Sequence, residues 1–235
     1  MEIEDFNEDC AYLFGVLLGD GSINIRVEKG DYEIKCVGNP KDEKEYYLDV
    51  IAPLFTEKFG KKVVPKYHDK KTTYGIRTWS KEIVSYLITK QIPSGVKYTK
   101  LKIPKIIGTN RKLKIAFIQG LFDTDGCCSI KKQGKQTCIS CSSKSSRFMS
   151  EVSKELRNLG FHPYETYNRK VKDCRLKKGY SIISSFEICR KKEIEMWINI
   201  IGSRHPKHLK KFYKWKKKEL IAGGGFEPPT FTRGT

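Results

Sequence analysis

Ala11-Tyr-Leu-Phe-Gly-Val-Leu-Leu-Gly-Asp-Gly21 and Ala116-Phe-Ile-Gln-Gly-Leu-Phe-Asp-Thr-Asp-Gly126 are two versions of one pattern, the second starting 105 residues after the first. In each, small residues recur every fourth position: Ala11, Gly15, Gly19 and Ala116, Gly120, Thr124. A glycine inside a helix costs about 1 kcal/mol relative to alanine, so some gain must offset it. A stripe without side chains lets two helix backbones approach closely. The two stretches are therefore expected to be helices, over about 8–20 and 112–125, packed on each other through their stripes.

Two more pairs of segments match in the same order. Ile51 to Gly60 resembles Val152 to Gly160, both amphipathic and both ending at a glycine. Lys81-Glu82-Ile83 and Lys192-Glu193-Ile194 each head a helical pattern. Three pairs in register point to two copies of one unit of roughly a hundred residues. After the first helix, alternation marks a strand pair: Ile23, Ile25 and Val27 with Ile34 and Cys36, and in the second copy Cys128 and Ile130 with Thr137, Ile139 and Cys141. An amphipathic helix (41–59; 145–159), a second strand pair (63–68 with 73–78; 163–169 with 181–189) and a last helix (80–90; 191–201) follow. The fold class is thus α+β: two tandem α-β-β-α-β-β-α units. The expected division is 1–92, a linker at 93–111 marked by Pro93, Gly95 and Pro104, a second unit at 112–222, and a disordered tail at 223–235. The second unit ends in a basic helix, 207–220, carrying Phe212, Tyr213 and Trp215.

Each motif closes with Asp-Gly. Gly21 and Gly126 are expected in the left-handed conformation that ends helices. Asp20 and Asp125 stand at helix C-termini, which carry partial negative charge and disfavour carboxylates. If the helices pack side by side, the two carboxylates also repel each other, and a cation between them relieves both penalties. Hard oxygen ligands suit magnesium. Magnesium beside a phosphate can polarise the phosphoryl oxygen and lower the pKa of an attacking water.

Composition narrows the partners. The chain has 46 Lys and Arg against 27 Asp and Glu, a net charge of +19. Hydrophobic residues are 38% and aromatics 11%, enough for a core and too many for a disordered polycation. Residues 1–110 carry 18 basic and 16 acidic residues, whereas 111–235 carry 28 and 11. So positive a surface favours a polyanion, nucleic acid first. No stretch approaches the ~18 uninterrupted apolar residues of a membrane span, so no membrane partner is expected. Met1-Glu2-Ile3-Glu4-Asp5 is acidic where a secretory signal is basic, so an intracellular location is expected, in cytoplasm or nucleoid. The eight cysteines are accordingly expected as reduced thiols. The C-x2-C spacing among Cys127, Cys128, Cys138 and Cys141 matches a zinc motif, but buried thiols on paired strands explain it more simply.

Leu13 to Gly21 and Ile118 to Gly126 resemble the two motifs of the LAGLIDADG homing endonuclease family, in its single-chain two-repeat form. The resemblance covers about residues 8–220. It implies a pseudo-twofold fold with the motif helices at the interface and two antiparallel sheets forming a saddle over DNA. It implies a monomeric, intron-encoded enzyme that binds magnesium, with manganese as a substitute, through Asp20 and Asp125 and the carbonyls of Gly19 and Thr124. The implied activity is a double-strand cut in a long asymmetric DNA target, leaving short 3′ overhangs. Lys97 and Lys207 resemble the family's catalytic lysines, with Lys100 and Lys211 nearby. Two departures stand out: Thr124 matches Gly19, and Asp123 matches Leu18. Alternative readings on the same scaffold are an intron RNA maturase and a non-cleaving DNA-binding regulator.

Strand alternation assigns faces. If Ile23, Ile25 and Val27 pack on helices, then Asn24 and Arg26 face outward, as do Lys35, Lys66, His68 and Arg77. In the second unit Lys131, Gln136 and Arg169 do the same. Arg, Asn and Gln can make bidentate bonds to base edges in the major groove, so these nine residues are the expected DNA contacts. The basic helix is expected to hold backbone phosphate.

Overall fold

A computed structural model of the chain describes residues 6–130 and 137–223. The first unit runs α1 (Glu8–Gly19), β1 (Gly21–Arg26), β2 (Asp31–Gly38), α2, β3 (Lys66–His68), β4 (Thr73–Trp79) and α3 (Lys81–Thr89). Helix α2 joins three pieces: Lys44–Tyr46, a π turn Tyr47–Ile51, and Ala52–Phe59. The second unit runs α4 (Arg111–Asp125), β5 (Gly126–Ile130), β6 (Thr137–Ser143), α5 (Ser146–Asn158), β7 (Tyr164–Lys172), β8 (Tyr180–Ile188) and α6 (Lys191–Ile200), followed by α7 (Pro206–Gly223). The sheets have matching antiparallel orders, β1-β2-β4-β3 and β5-β6-β8-β7. The fold class is α+β, built from two copies of one α-β-β-α-β-β-α arrangement.

The copies also use the same local devices. The Asn7 side chain accepts from the amides of Asp9 (3.1 Å) and Cys10 (3.2 Å), and Asn110 accepts from Lys112 (2.9 Å) and Leu113 (3.2 Å). Each asparagine satisfies amides that a helix start leaves free. Gly60 and Gly160, the two glycines that end the repeated amphipathic pattern, have φ of +62° and +94° and stop their helices in the left-handed conformation.

Helix α1 is buried from Cys10 through Gly19, on every side. A helix apolar all round belongs in the middle of a fold. Its partner is α4, met through the expected stripes. In the second unit Trp197 is fully buried, with Phe122, Phe161 and Phe186 at 5.1, 5.6 and 6.2 Å between ring centroids. Phe212 and Trp215 of α7 are core residues too, so the basic helix is packed down by its aromatics.

Four expectations need correction. Ile25 is 37% exposed and Val27 70%, because the β1–β2 hairpin runs past the helices that cover Ile23; alternation gives a side chain's face but not what covers it. Gly21 and Gly126 are not left-handed: they open β1 and β5, and Gly126 has φ −92° and ψ 163°. They are small for a steric reason. A Cβ on Gly21 would lie 2.5 Å from Leu17 O, and one on Gly126 2.3 Å from Phe122 O. Helix α2 begins at Lys44, not at 41. Finally, the thiols are not all free: Cys138 and Cys189 form a disulfide between neighbouring strand ends of the second sheet, next to the pair Ile139–Ile188. That bond removes Cys138 from any zinc set with Cys141. Lys131, Gln136 and the tail beyond Gly223 lie outside the described residues.

Candidate metal and nucleic-acid site

Because α1 and α4 touch along their small-residue stripes, their C-termini arrive together. A Cβ on Gly19 would lie 1.9 Å from Thr124 Oγ1 and 3.6 Å from the carboxyl carbon of Asp125. Asp20 closes α1, its amide donating to Val16 O at 3.0 Å, and Asp125 is the last residue of α4. Burial, then Asp125, then Glu43 push the Asp20 carboxyl up to about 7. Burial pushes Asp125 up to about 6, against the pull of Lys97. Both carboxylates are therefore short of positive charge.

Lys97 arrives from the segment after α3. Gly95 turns there with φ +68°, and its amide donates to Ile23 O at 2.8 Å, which pins the segment to β1. Lys97 Nζ then donates to the carbonyls of Gly19 and Gly21, the latter at 2.8 Å. Burial holds the lysine below its usual value, while Asp125 and Asp20 oppose that. Lys207, in the first turn of α7, draws down the carboxyls of both Asp20 and Glu43. Lys97 thus reaches the site by hydrogen bonds, whereas Lys207 acts on its carboxylates through charge. Lys100 does not reach it: it is exposed and donates to Ser94 O at 3.3 Å.

The donor set fits a divalent cation. Two carboxylates meet at abutting helix ends, and the carbonyls of Gly19 and Gly21 beside them already hold an ammonium, so the oxygens there attract positive charge. Hard oxygens of this kind suit magnesium, manganese or calcium.

Two features escaped sequence reasoning. Glu43 is held over Gly38 by the Asn39 amide at 2.7 Å and adds a third carboxylate on the Asp20 side; an acidic residue between β2 and α2 is a weak signal by itself. The second is Asp123, which the sequence marked only as a departure from Leu18. It is 2% exposed. It accepts from Tyr12 Oη at 2.7 Å, from the Arg204 amide at 2.8 Å and from Ser203 Oγ. Tyr12 Oη also lies 2.8 Å from Tyr46 Oη, and Arg204 pairs with Asp9 at 2.7 Å while stacking over Tyr12. This network ties α1, α2, α4 and the start of α7 together beneath the site.

The six expected DNA contacts of the first unit fall on one face of its sheet. Ser22, Lys35 and Arg77 are in register across β1, β2 and β4, as are Asn24, Glu33 and Trp79. Three of the cations are already paired: Arg26 with Asp31, Lys35 with Asp69 at 2.7 Å, and Arg77 with Glu33. Lys66 is exposed, and His68 Nε2 donates to Gly75 O at 3.2 Å. Arg169 is exposed on β7, beyond a bulge at Thr166–Arg169. A cleft of about 870 Å³ runs from Gly19, Lys97 and Asp125 to Lys144, Lys172 and Arg175. It leads from the paired carboxylates to cations of the second unit.

The fold and site define a class: a two-repeat α+β protein with a carboxylate at each of two abutting helix ends. Residues 112–202 match the family described as the LAGLIDADG-like domain. The solved structure of I-DmoI, a homing endonuclease, in complex with DNA and calcium superposes with a TM-score of 0.61 at 19% identity, over 88% of this chain and 97% of that one. The LAGLIDADG homing endonuclease I-LtrWI bound to target DNA gives 0.58 at 13%, over 94% and 92%. At these identities the likeness is one of fold. An uncharacterised protein of Methanocaldococcus jannaschii is 28% identical over 179 residues, 74% of this chain and 62% of that protein. The ribonucleoside-diphosphate reductase NrdEB subunit alpha of Bacillus subtilis is 25% identical over 170 residues, 69% of this chain and 15% of that protein. The chain thus spans less than two thirds of either relative. The second unit thus matches the LAGLIDADG-like domain, and the chain as a whole shares the fold of single-chain, two-repeat LAGLIDADG homing endonucleases.

Proposed function

We propose that the chain is a site-specific DNA endonuclease that makes a metal-dependent double-strand cut in a long asymmetric target and leaves short 3′ overhangs. The observation that carries this reading is the meeting of Asp20 and Asp125 at abutting helix ends, with Lys97 between the carbonyls beside them. I-DmoI variants have been solved in complex with target DNA in the presence of manganese or magnesium, which agrees with this chemistry. Asp20, Asp125 and the carbonyls of Gly19 and Thr124 hold the cation, magnesium by preference and manganese as a substitute. When bound, it supplies a Lewis acid at the phosphate and a water of lowered pKa.

The rest is done by the chain. The two aspartates place one carboxylate at each strand's scissile phosphate. Lys97 and Lys207 set positive charge where the phosphate gains negative charge in the transition state. Outward residues of the sheets, Asn24, Arg26, Lys35, Lys66, His68, Arg77 and Arg169, meet base edges or phosphates, as do Lys131 and Gln136 by the strand pattern of the sequence. They differ between the halves, which permits an asymmetric target. Both aspartates come from one chain, so the active species is a monomer.

The test is incubation with Mg²⁺ and a library of random DNA duplexes, comparing wild type with Asp20→Asn and Asp125→Asn. Wild type cuts one family of sequences on both strands, and each variant binds them without a double-strand cut. Binding without cutting in every divalent metal overturns the nuclease reading and leaves the non-cleaving regulator or the intron RNA maturase; a splicing assay separates those two.

A further inference from the structure

Glu33 is an anomaly on the surface assigned to DNA. It is 5% exposed, yet its register with Asn24 and Trp79 places it on the outward face of the first sheet rather than on the helix side. Its two oxygens are divided between two donors. Arg77 Nε bonds to Oε1, and Asn24 Nδ2 bonds to Oε2 at 3.0 Å. The Arg77 guanidinium also stacks on Trp79, 5.1 Å from the ring centroid. Its plane is therefore fixed twice, by the carboxylate at Nε and by the indole.

Among the described residues both terminal nitrogens of Arg77 stay free, and a planar fork held this way matches the O6 and N7 acceptors of guanine. Asn24 keeps its carbonyl oxygen and one N–H, the pair that reads adenine. The other ion pairs on this face differ in kind. Their carboxylates are more open, Asp31 at 16% and Asp69 at 51% exposed, and the Arg26 side chain is 55% exposed against 37% for Arg77. Such pairs are weak and exchange readily with phosphate. The Glu33 side chain is only 7% exposed, and a buried carboxylate holds its partners because losing one leaves it unpaired. Charge fits the same division: the first 110 residues are nearly neutral and the remainder carries most of the excess.

We propose that Glu33 is a specificity-determining positioning residue, which aligns Arg77 and Asn24 for base reading in the first half-site. This rests on the DNA reading above. It assigns selectivity to the first unit, while the cations of the second supply sequence-independent affinity.

The test is a binding selection from a pool of random DNA duplexes in calcium buffer, read by sequencing. Wild type enriches one asymmetric motif. Glu33→Gln keeps the motif but loses preference about tenfold at one base pair or two adjacent ones. Its melting temperature and its affinity for bulk DNA match wild type. Arg77→Ala and Asn24→Ala relax those same base pairs, and Glu33→Gln combined with Arg77→Ala relaxes them no further than Arg77→Ala alone. That coincidence of positions is something a merely structural glutamate does not produce. If Glu33→Gln does not fold, Arg77→Ala and Asn24→Ala still decide: effects on separate, distant base pairs overturn the proposal. A Glu33→Gln profile identical to wild type, or an even loss at every position, overturns it while the nuclease reading stands. No enriched motif for wild type overturns both.

Discussion

Gly15 and Gly120 each lie against the backbone of the other's helix. A Cβ on Gly15 would stand 2.1 Å from Phe117 O, and one on Gly120 would stand 2.1 Å from Tyr12 O. In both cases the obstacle is backbone, which cannot rotate away as a side chain does. This reciprocal contact brings the two helix ends together and so sets Asp20 beside Asp125.

Replacing either glycine with alanine forces the helices apart. Gly15→Ala and Gly120→Ala should each cost about 3 kcal/mol, the upper range for overpacking. Gly60→Ala, at φ +62° but with open space around it, should cost only about 1 kcal/mol. Guanidinium unfolding midpoints check the contrast, which vanishes if the helices do not touch.

The raised carboxyls couple metal binding to pH. Asp20 and Asp125 sit at about 7 and about 6 in the fold against an ordinary carboxylate value of 3.8. The folded state thus holds extra protons between about pH 4 and 7, so these groups favour the metal-free fold in acid and that contribution is lost as pH rises. A divalent cation held by these carboxylates, magnesium in the proposed function, must displace those protons. The rise in melting temperature with Mg²⁺ should therefore be larger above pH ~7 than near pH ~5. Asp20→Asn with Asp125→Asn should remove both the magnesium effect and its pH dependence.

Asp123 accepts three hydrogen bonds out of contact with water, so its loss strands Tyr12, Ser203 and the Arg204 amide. Asp123→Ala should cost about 3 kcal/mol and Tyr12→Phe about 1 kcal/mol. Because the network joins both units to α7, Asp123→Ala should also raise amide exchange at the start of α7. Unchanged exchange there would remove the role given to the network.

His205 and His208 oppose the aspartates. Each is buried, and burial lowers them to about 4 and 3 from 6.5. The unfolded chain takes up these protons first, so their contribution to stability is full above pH 6.5 and is lost as pH falls toward 4. Nearby Lys207, Lys210 and Lys211 lower the protonation of His205 further. His205→Gln, which keeps a polar ring-sized group beside Tyr46, should flatten the acid limb of a stability–pH curve measured by urea unfolding.

The paired helices and the two sheets were legible because their signals are local and repeated. Gly15 and Gly120 break helix propensity at matched positions, and strand alternation marked Ile23 and Ile34. Asp20 and Asp125 could be singled out because a carboxylate at a helix C-terminus is unfavourable by itself, and twice over in a repeat. Lys97 and Lys207 were reached by resemblance, and no spacing in the chain would have located them. Lys97 is brought to Gly19 by the turn at Gly95, and Lys207 by the docking of α7 on the core.

Other features depended on contacts between segments far apart in the chain. Asp123 meets Tyr12 across 111 residues and Ser203 across 80, so neither partner could be read from its neighbours. Gly21 and Gly126 were small for a packing reason that only the positions of Leu17 and Phe122 disclose. The exposure of Ile25 and Val27, the Cys138–Cys189 bond, and the capture of Arg77 by Glu33 follow from which strands lie side by side and how far the helices cover them. Periodicity and helix-end electrostatics act within a few residues, so the amino-acid sequence alone determined the repeated unit, its element types and the paired aspartates. Which buried carboxylate keeps which donor is decided by desolvation in the assembled molecule, and that belonged to the tertiary structure.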